Sequence, residues 1–317
     1  MNFTMNGREI DWRSLKRCFS TAGLACAVYL VVSTGCALAL AALLEPMRDR
    51  MGETMWTIIT MLAMYPAAVP ACYVVMRRTP RAVQTWRQPL GVGRFLCVFI
   101  ISTGFMYIGN LVGQFLMTIV GMITGRPIIN DVQEMIMAME PWAIVIVAVI
   151  VGPIVEELVF RKFLLDRIAG YGQITAMLVS GLIFGLAHGN FFQFFYAFAL
   201  GMIFAYMYLR TGSVKHTILL HMMINFCGSV LPLALLKVME RNPIVGAVLS
   251  IGQLSYMFMM MIAAIVLLIC YRGEIFAKED RSWIPKGRWT AAVFFNPGML
   301  VFYATVVAMF IYDYLKQ

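Results

Sequence analysis

Residues 142–161 read WAIVIVAVIVGPIVEELVFR. The first fourteen, 142–155, carry no charge and show no alternation of apolar and polar side chains. A continuous apolar run of this kind is a helix entering a bilayer and not a strand of an outer-membrane barrel, whose segments alternate over about ten residues. Two glutamates follow immediately, Glu156 and Glu157, and an arginine comes four residues after the second. Charge inside such a run costs about 2.5–3.5 kcal/mol per residue on insertion scales, so these residues need partners or a role.

The rest of the chain has the same character. Of 317 residues 61% are hydrophobic and 13% charged, with a mean hydropathy of +0.81. A soluble domain has about 45–50% apolar and about 25% charged residues. A soluble enzyme is therefore excluded. Apolar runs at about 18–44, 54–76, 95–122, 142–168, 173–188, 192–209, 214–236, 243–271 and 289–312 predict an all-α, polytopic transmembrane bundle of about nine spans, eight at the fewest. No secretory leader is expected, because the first apolar run is too long and follows seventeen mostly polar residues.

The net charge of +9 belongs to topology and not to nucleic acid, since no basic residues interleave with aromatics on a polar face. With the N-terminus inside and the spans alternating, nineteen of the 25 lysines and arginines fall on the cytoplasmic side, Arg161, Lys162 and Arg167 among them. That places the protein in the cell membrane with its N-terminus in the cytoplasm. The seven cysteines all lie in apolar runs without a CxxC, as small buried hydrophobes do.

Smaller signals predict a packed bundle. Gly109-xxx-Gly113, Gly121-xxx-Gly125 and Gly181-xxx-Gly185 would let helices approach closely. Pro66 and Pro70 should kink the second span. Residues 127–140 predict a short surface helix on the outer side, with Asn130 and Gln133 as its capping pair. The chain divides into 1–141 (three spans and the surface helix), 142–236 (four helices) and 237–317 (two spans).

Ionisable residues within apolar helices concentrate in 156–225. At about 100° per residue, Glu157 and Arg161 lie on one helical face and can pair, while Glu156 points elsewhere, toward the bundle. Phe184 and His188 share a second face, and His221 and Asn225 a third. The remaining histidine, His216, faces away from His221 and reads as structural. Each pair alone is compatible with interhelical hydrogen bonding. Together they are a set able to hydrolyse a peptide bond. A carboxylate in low dielectric takes a proton from water, a histidine positions that water, and an imidazole with a carboxamide stabilises an oxyanion. A zinc site of Glu156, His188 and His221 is the competing reading, though no HExxH is present.

EExxxR, FxxxH and HxxxN on successive membrane helices resemble the CAAX-protease and bacteriocin-processing family of intramembrane proteases. The matching residues are Glu156, Glu157 and Arg161, then Phe184 and His188, then His221 and Asn225. Leu209-Arg210-Thr211-Gly212-Ser213 also resembles the family's connector. The resemblance covers about 142–236. It implies a helical intramembrane endopeptidase whose site opens toward the cytosol. It also implies Glu156 as general base, His188 beside it, and His221 with Asn225 at the oxyanion. The substrate would be a membrane-associated protein or peptide. Metal-independent chemistry is favoured over zinc, because an asparagine paired with one histidine suits an oxyanion hole. A proton-coupled transporter and a non-catalytic binding or immunity protein of the same fold are the alternatives, and the transporter lacks the expected inverted repeats. The helices outside 142–236 carry no readable chemistry and are expected to be scaffold.

Overall fold

The computed structural model describes residues 2–5, 8–81, 88–275 and 288–316. Arg87, Lys278, Arg281 and Lys286, counted above as cytoplasmic charges, lie outside the described residues. A two-stranded hairpin, Asn2–Met5 with Arg8–Asp11, precedes an otherwise helical chain. Asp11 caps the first helix by accepting from the backbone N–H groups of Arg13 and Ser14, and the Arg13 contact above all holds its carboxyl below the usual range.

The helical segments are α1 (Trp12–Met51), α2 (Glu53–Met76), α3 (Val92–Thr124), α4 (Asp131–Ala138), α5 (Pro141–Tyr171), α6 (Gln173–Ala187), α7 (Phe191–Thr211), α8 (Val214–Arg241), α9 (Pro243–Ile275), α10 (Arg288–Phe294) and α11 (Pro297–Lys316). Among the described residues, seven are long and apolar enough to cross a membrane, or eight if the bent α10–α11 pair is one span. The protein is a multi-pass membrane protein. Its outward faces are apolar. Val248, Ile251, Phe258 and Ile262 along α9 are all exposed, as side chains facing lipid should be.

Two expectations are corrected. The apolar run 289–312 is not one straight helix. It breaks before Pro297, which has no N–H to continue the ladder, and bends by 54°. The buried Asn296 joins the two halves, donating to the carbonyls of Ala292 and Val293 and accepting from the N–H of Met299. Gly121-xxx-Gly125 is not a helix crossing. Gly125 sits at φ 71° as the left-handed cap of α3, and nothing lies near the place of its missing Cβ. Arg161, Lys162 and Arg167 lie on α5, which runs through all three to Tyr171, in keeping with the expected helix 142–168. The expected surface helix does form at Asp131–Ala138, with Asn130 accepting from the N–H of Gln133 at 3.3 Å.

The remaining glycine pairs set the helix register. A Cβ on Gly109 or Gly113 would strike the backbone of Tyr196 or Phe192 on α7, and one on Gly181 or Gly185 the carbonyls of Phe198 or Phe194. Thus α7 lies pressed between α3 and α6. At the periphery, α1 crosses α11 through Gly23 and Gly298, where a Cβ on Gly298 would stand 1.7 Å from the Ser20 carbonyl oxygen. Gly298→Ala should therefore force the two backbones apart and lower stability by about 1–3 kcal/mol. A shift in the denaturant midpoint of the detergent-solubilised protein measures it, and an unchanged midpoint refutes so tight a crossing.

The depth of the central helices follows from their lengths. At about 1.5 Å per residue, α6 is too short for a crossing of about 30 Å. It runs antiparallel to α5 from the turn at Gly172, where φ is 108°. His188, at its end, and Glu157, fourteen residues before the end of α5, stand at similar distances from that turn. Both lie within the bundle.

Candidate active site

Glu156 and Glu157 occupy the middle of α5, between two stretches of π-helix, Val145–Val151 and Leu158–Phe163. A third π stretch, Phe226–Val230, begins directly after Asn225. Such i→i+5 turns cost regularity and are frequent where a helix must present particular groups. One result is visible: the carbonyl of Ala148, in the first π stretch, accepts from Asn225 Nδ2 at 2.8 Å and ties α5 to α8.

The two glutamates face different surroundings. Glu157 is fully buried, with Oε2 3.1 Å from Arg161 Nε and Oε1 3.0 Å from His221 Nδ1. Arg161 is equally buried and is held from three sides. Its Nη1 donates to Ser180 Oγ at 2.9 Å, and its guanidinium stacks 4.7 Å from the ring of Phe184 and 5.6 Å from that of Phe204. A charge pair taken out of water persists only with such added contacts. Glu156 keeps 26% of its side chain exposed, and its Oε2 is 3.8 Å from His221 Nε2.

A carboxylate accepts, so His221 donates from Nδ1 to Glu157, and its Nε2 faces Glu156. The separation of 3.8 Å is too long for a direct hydrogen bond and suits a water touching both groups. Asn225, having used one Nδ2 hydrogen on Ala148, retains the other.

His188 stands on the far side of Phe184. Ring centroids are 4.9 Å apart for Phe184 and His188, and 5.8 Å for Phe184 and His221. Its Nδ1 donates to the Phe184 carbonyl at 2.8 Å, leaving Nε2 as an acceptor. Tyr196 lies beyond, fixed by Gln193, which is in turn held by Asn190 of the α6–α7 turn. His216 takes no part in the cluster. Among the described residues, no three of His, Cys, Asp and Glu converge as metal ligands. Both imidazoles pack against the ring of Phe184, and Glu156 comes within 3.8 Å of His221.

Sequence reasoning missed the tyrosines. The Tyr65 hydroxyl of α2 comes near Gly152 and Glu156, and the Tyr196 ring of α7 lies 6.5 Å from that of His188. Tyr65 opens the second helical stretch of α2, directly after Met64, with Pro66 as its second residue. Nothing in a sequence distinguishes these from the other tyrosines of apolar helices.

Residues 138–227 match a family described as type II CAAX prenyl endopeptidase, Rce1-like. The chain is similar to the putative membrane peptidase YdiL of Bacillus subtilis, 37% identical over 82 residues covering 26% of this chain and 34% of that protein. It is likewise similar to the membrane-embedded CAAX protease MroQ of Staphylococcus aureus, 38% identical over 85 residues covering 24% and 34%. Similarity to the human CAAX prenyl protease 2 is 30% over 125 residues, covering 32% and 38%. The chain thus spans about a third of the length of these relatives. No solved structure matches it.

Proposed function

We propose, from its similarity through residues 138–227 to the type II CAAX prenyl endopeptidases and to bacterial and human CAAX-type membrane proteases, that this chain is an intramembrane endopeptidase of membrane-associated proteins or peptides. The observation that carries the reading is the partly exposed Glu156 carboxylate, 3.8 Å from Nε2 of an imidazole whose other nitrogen is tied to a buried Glu–Arg pair. A water between them donates one hydrogen to Glu156 Oε2 and the other to His221 Nε2, which turns its lone pairs toward a substrate. Its oxygen adds to the scissile carbonyl carbon as a proton passes to Glu156. That proton then goes to the amide nitrogen as the C–N bond breaks. Glu157 and Arg161 fix the tautomer of His221, and Asn225 offers its remaining hydrogen to the oxyanion. His188 lines the cleft beside the Phe184 ring. No step passes through a metal.

Residues 142–236 form the catalytic core in this reading, flanked by 1–141 and 237–317. The site opens toward the cytoplasmic side of the cell membrane, as the distribution of basic residues supports.

The test compares membrane peptides from cells expressing the wild type and Glu156→Ala at equal levels, with and without chelator. The expected result is a cleaved species present only with the wild type and persisting in chelator. Identical peptide profiles would remove the protease reading and leave a binding or immunity protein. Loss of cleavage in chelator alone would restore the metal.

A further inference from the structure

We infer that the cavity between the ends of α3, α7 and α9 binds the headgroup phosphate of an anionic phospholipid, held by Arg94 and Arg210. The inference does not depend on the protease reading. It gives Arg210 of the connector, and two helices outside residues 142–236, a chemistry of their own.

Three helix ends meet at this place. Arg94 is the third residue of α3, Arg210 the last but one of α7 and Glu274 the last but one of α9. Charges within one turn of the ends of long apolar helices stand at the headgroup level of a bilayer. The three side chains line a cavity of about 60 Å³, and its other walls descend into the apolar part of the bundle through Val98 and Ile101 on α3 and Met207 on α7. Residues 88–90 line it too, tied to α7 by the Gln88 N–H, which donates to the Arg210 carbonyl at 2.9 Å.

Charge decides the occupant. Two guanidiniums share one carboxylate. Arg210 bonds Glu274 and lies 5.7 Å from the centre of the Tyr206 ring. Arg94 approaches the same Glu274 oxygen only to 3.7 Å and makes no hydrogen bond to a described residue. The described lining thus carries one positive charge in excess, on a guanidinium whose donors are open. Such a fork matches two oxygens of a phosphate with parallel N–H···O bonds.

The surroundings select a lipid over free phosphate. Tyr206 and Tyr271, residues of the type that gathers at membrane interfaces, line the same cavity. Exposed apolar side chains continue from the charged level along both flanking helices, Leu96 on α3 and Ile269 on α9, where acyl chains lie. A basic pocket between spans, at headgroup level and with apolar walls beneath it, is the form that anionic headgroup sites take.

The test measures retention of phosphatidylglycerol by the full-length, detergent-solubilised protein in native mass spectrometry, beside phosphatidylcholine with the same acyl chains and beside inorganic phosphate. The wild type should hold one phosphatidylglycerol at least about fivefold more tightly than phosphatidylcholine, the contribution of one cation near an anionic surface. Arg94→Gln should lose that factor, and because Arg94 is 56% exposed and the Arg210–Glu274 pair stays intact, the variant keeps its fold. Arg272→Gln, which removes an exposed cation of α9 outside the cavity, should bind as the wild type does. Equal retention of the two lipids, wild-type retention by Arg94→Gln, or an equal loss in Arg272→Gln overturns the inference. Inorganic phosphate that binds as tightly as phosphatidylglycerol overturns it in favour of a site for the free anion.

Discussion

Arg161→Met is expected to destabilise the fold by about 3–5 kcal/mol, the loss that follows when one partner of a buried ion pair is removed. The guanidinium is fully buried and meets Glu157, Ser180 and the rings of Phe184 and Phe204, so its removal leaves the Glu157 carboxylate uncompensated in an apolar interior. Replacing both partners, as in Glu157→Leu with Arg161→Met, should return most of that stability, since apolar groups of similar volume often substitute for a buried pair without loss. Activity should not return with it. The double variant still lacks the acceptor for His221 Nδ1, and the imidazole is no longer held in one tautomer. Denaturant unfolding in detergent, read beside cleavage of the same preparations, separates the two effects. A double variant as unstable as Arg161→Met would instead assign the stability to the contacts of the guanidinium with Ser180 and the two aromatic rings. A double variant with normal cleavage would show that Glu157 does not orient His221.

Glu156→Gln and His221→Ala should each lower kcat/KM by about 10²–10⁴, the range of a positioned general base. Their combination should be little worse than either alone, because groups that hold one water act as a unit. The two variants ought to differ in stability. Glu156 is partly exposed and outside the ion pair, so Glu156→Gln should leave the unfolding midpoint almost unchanged. His221 is 4% exposed and satisfies Glu157, so its loss should cost stability as well. Strict additivity of the two kinetic losses would place the residues on separate steps and exclude a shared water.

The sequence was most informative where a relation lies within one helix. The pairing of Glu157 with Arg161 is an i, i+4 relation, and it forms. The Asn130 cap follows from positions three residues apart. The membrane class follows from composition alone. Reading failed where helix geometry departs from its simplest form. Arg161, Lys162 and Arg167 lie on the predicted helix, but the partner of Arg167 across the fold, the Met76 carbonyl, is not legible in it. The final apolar run breaks at Pro297, where buried Asn296 satisfies the freed backbone groups.

The amino-acid sequence by itself determined that this is an all-helical membrane protein, that one of its two adjacent glutamates pairs with Arg161, and which six polar residues stand out of place in apolar helices. Those properties depend on hydropathy and on the angular period of a single helix. Only the tertiary structure decided that His221 bonds Glu157 across 64 residues of chain, that Glu156 is the carboxylate left partly open, that both imidazoles pack against Phe184, and that Tyr65 comes near Gly152 and Glu156 from a helix with no chemistry of its own. Rotation and depth between helices are set by close backbone contacts at Gly109, Gly113, Gly181 and Gly185 and by π turns that shift the facing of every residue after them. These are relations between surfaces, and no single helix contains them.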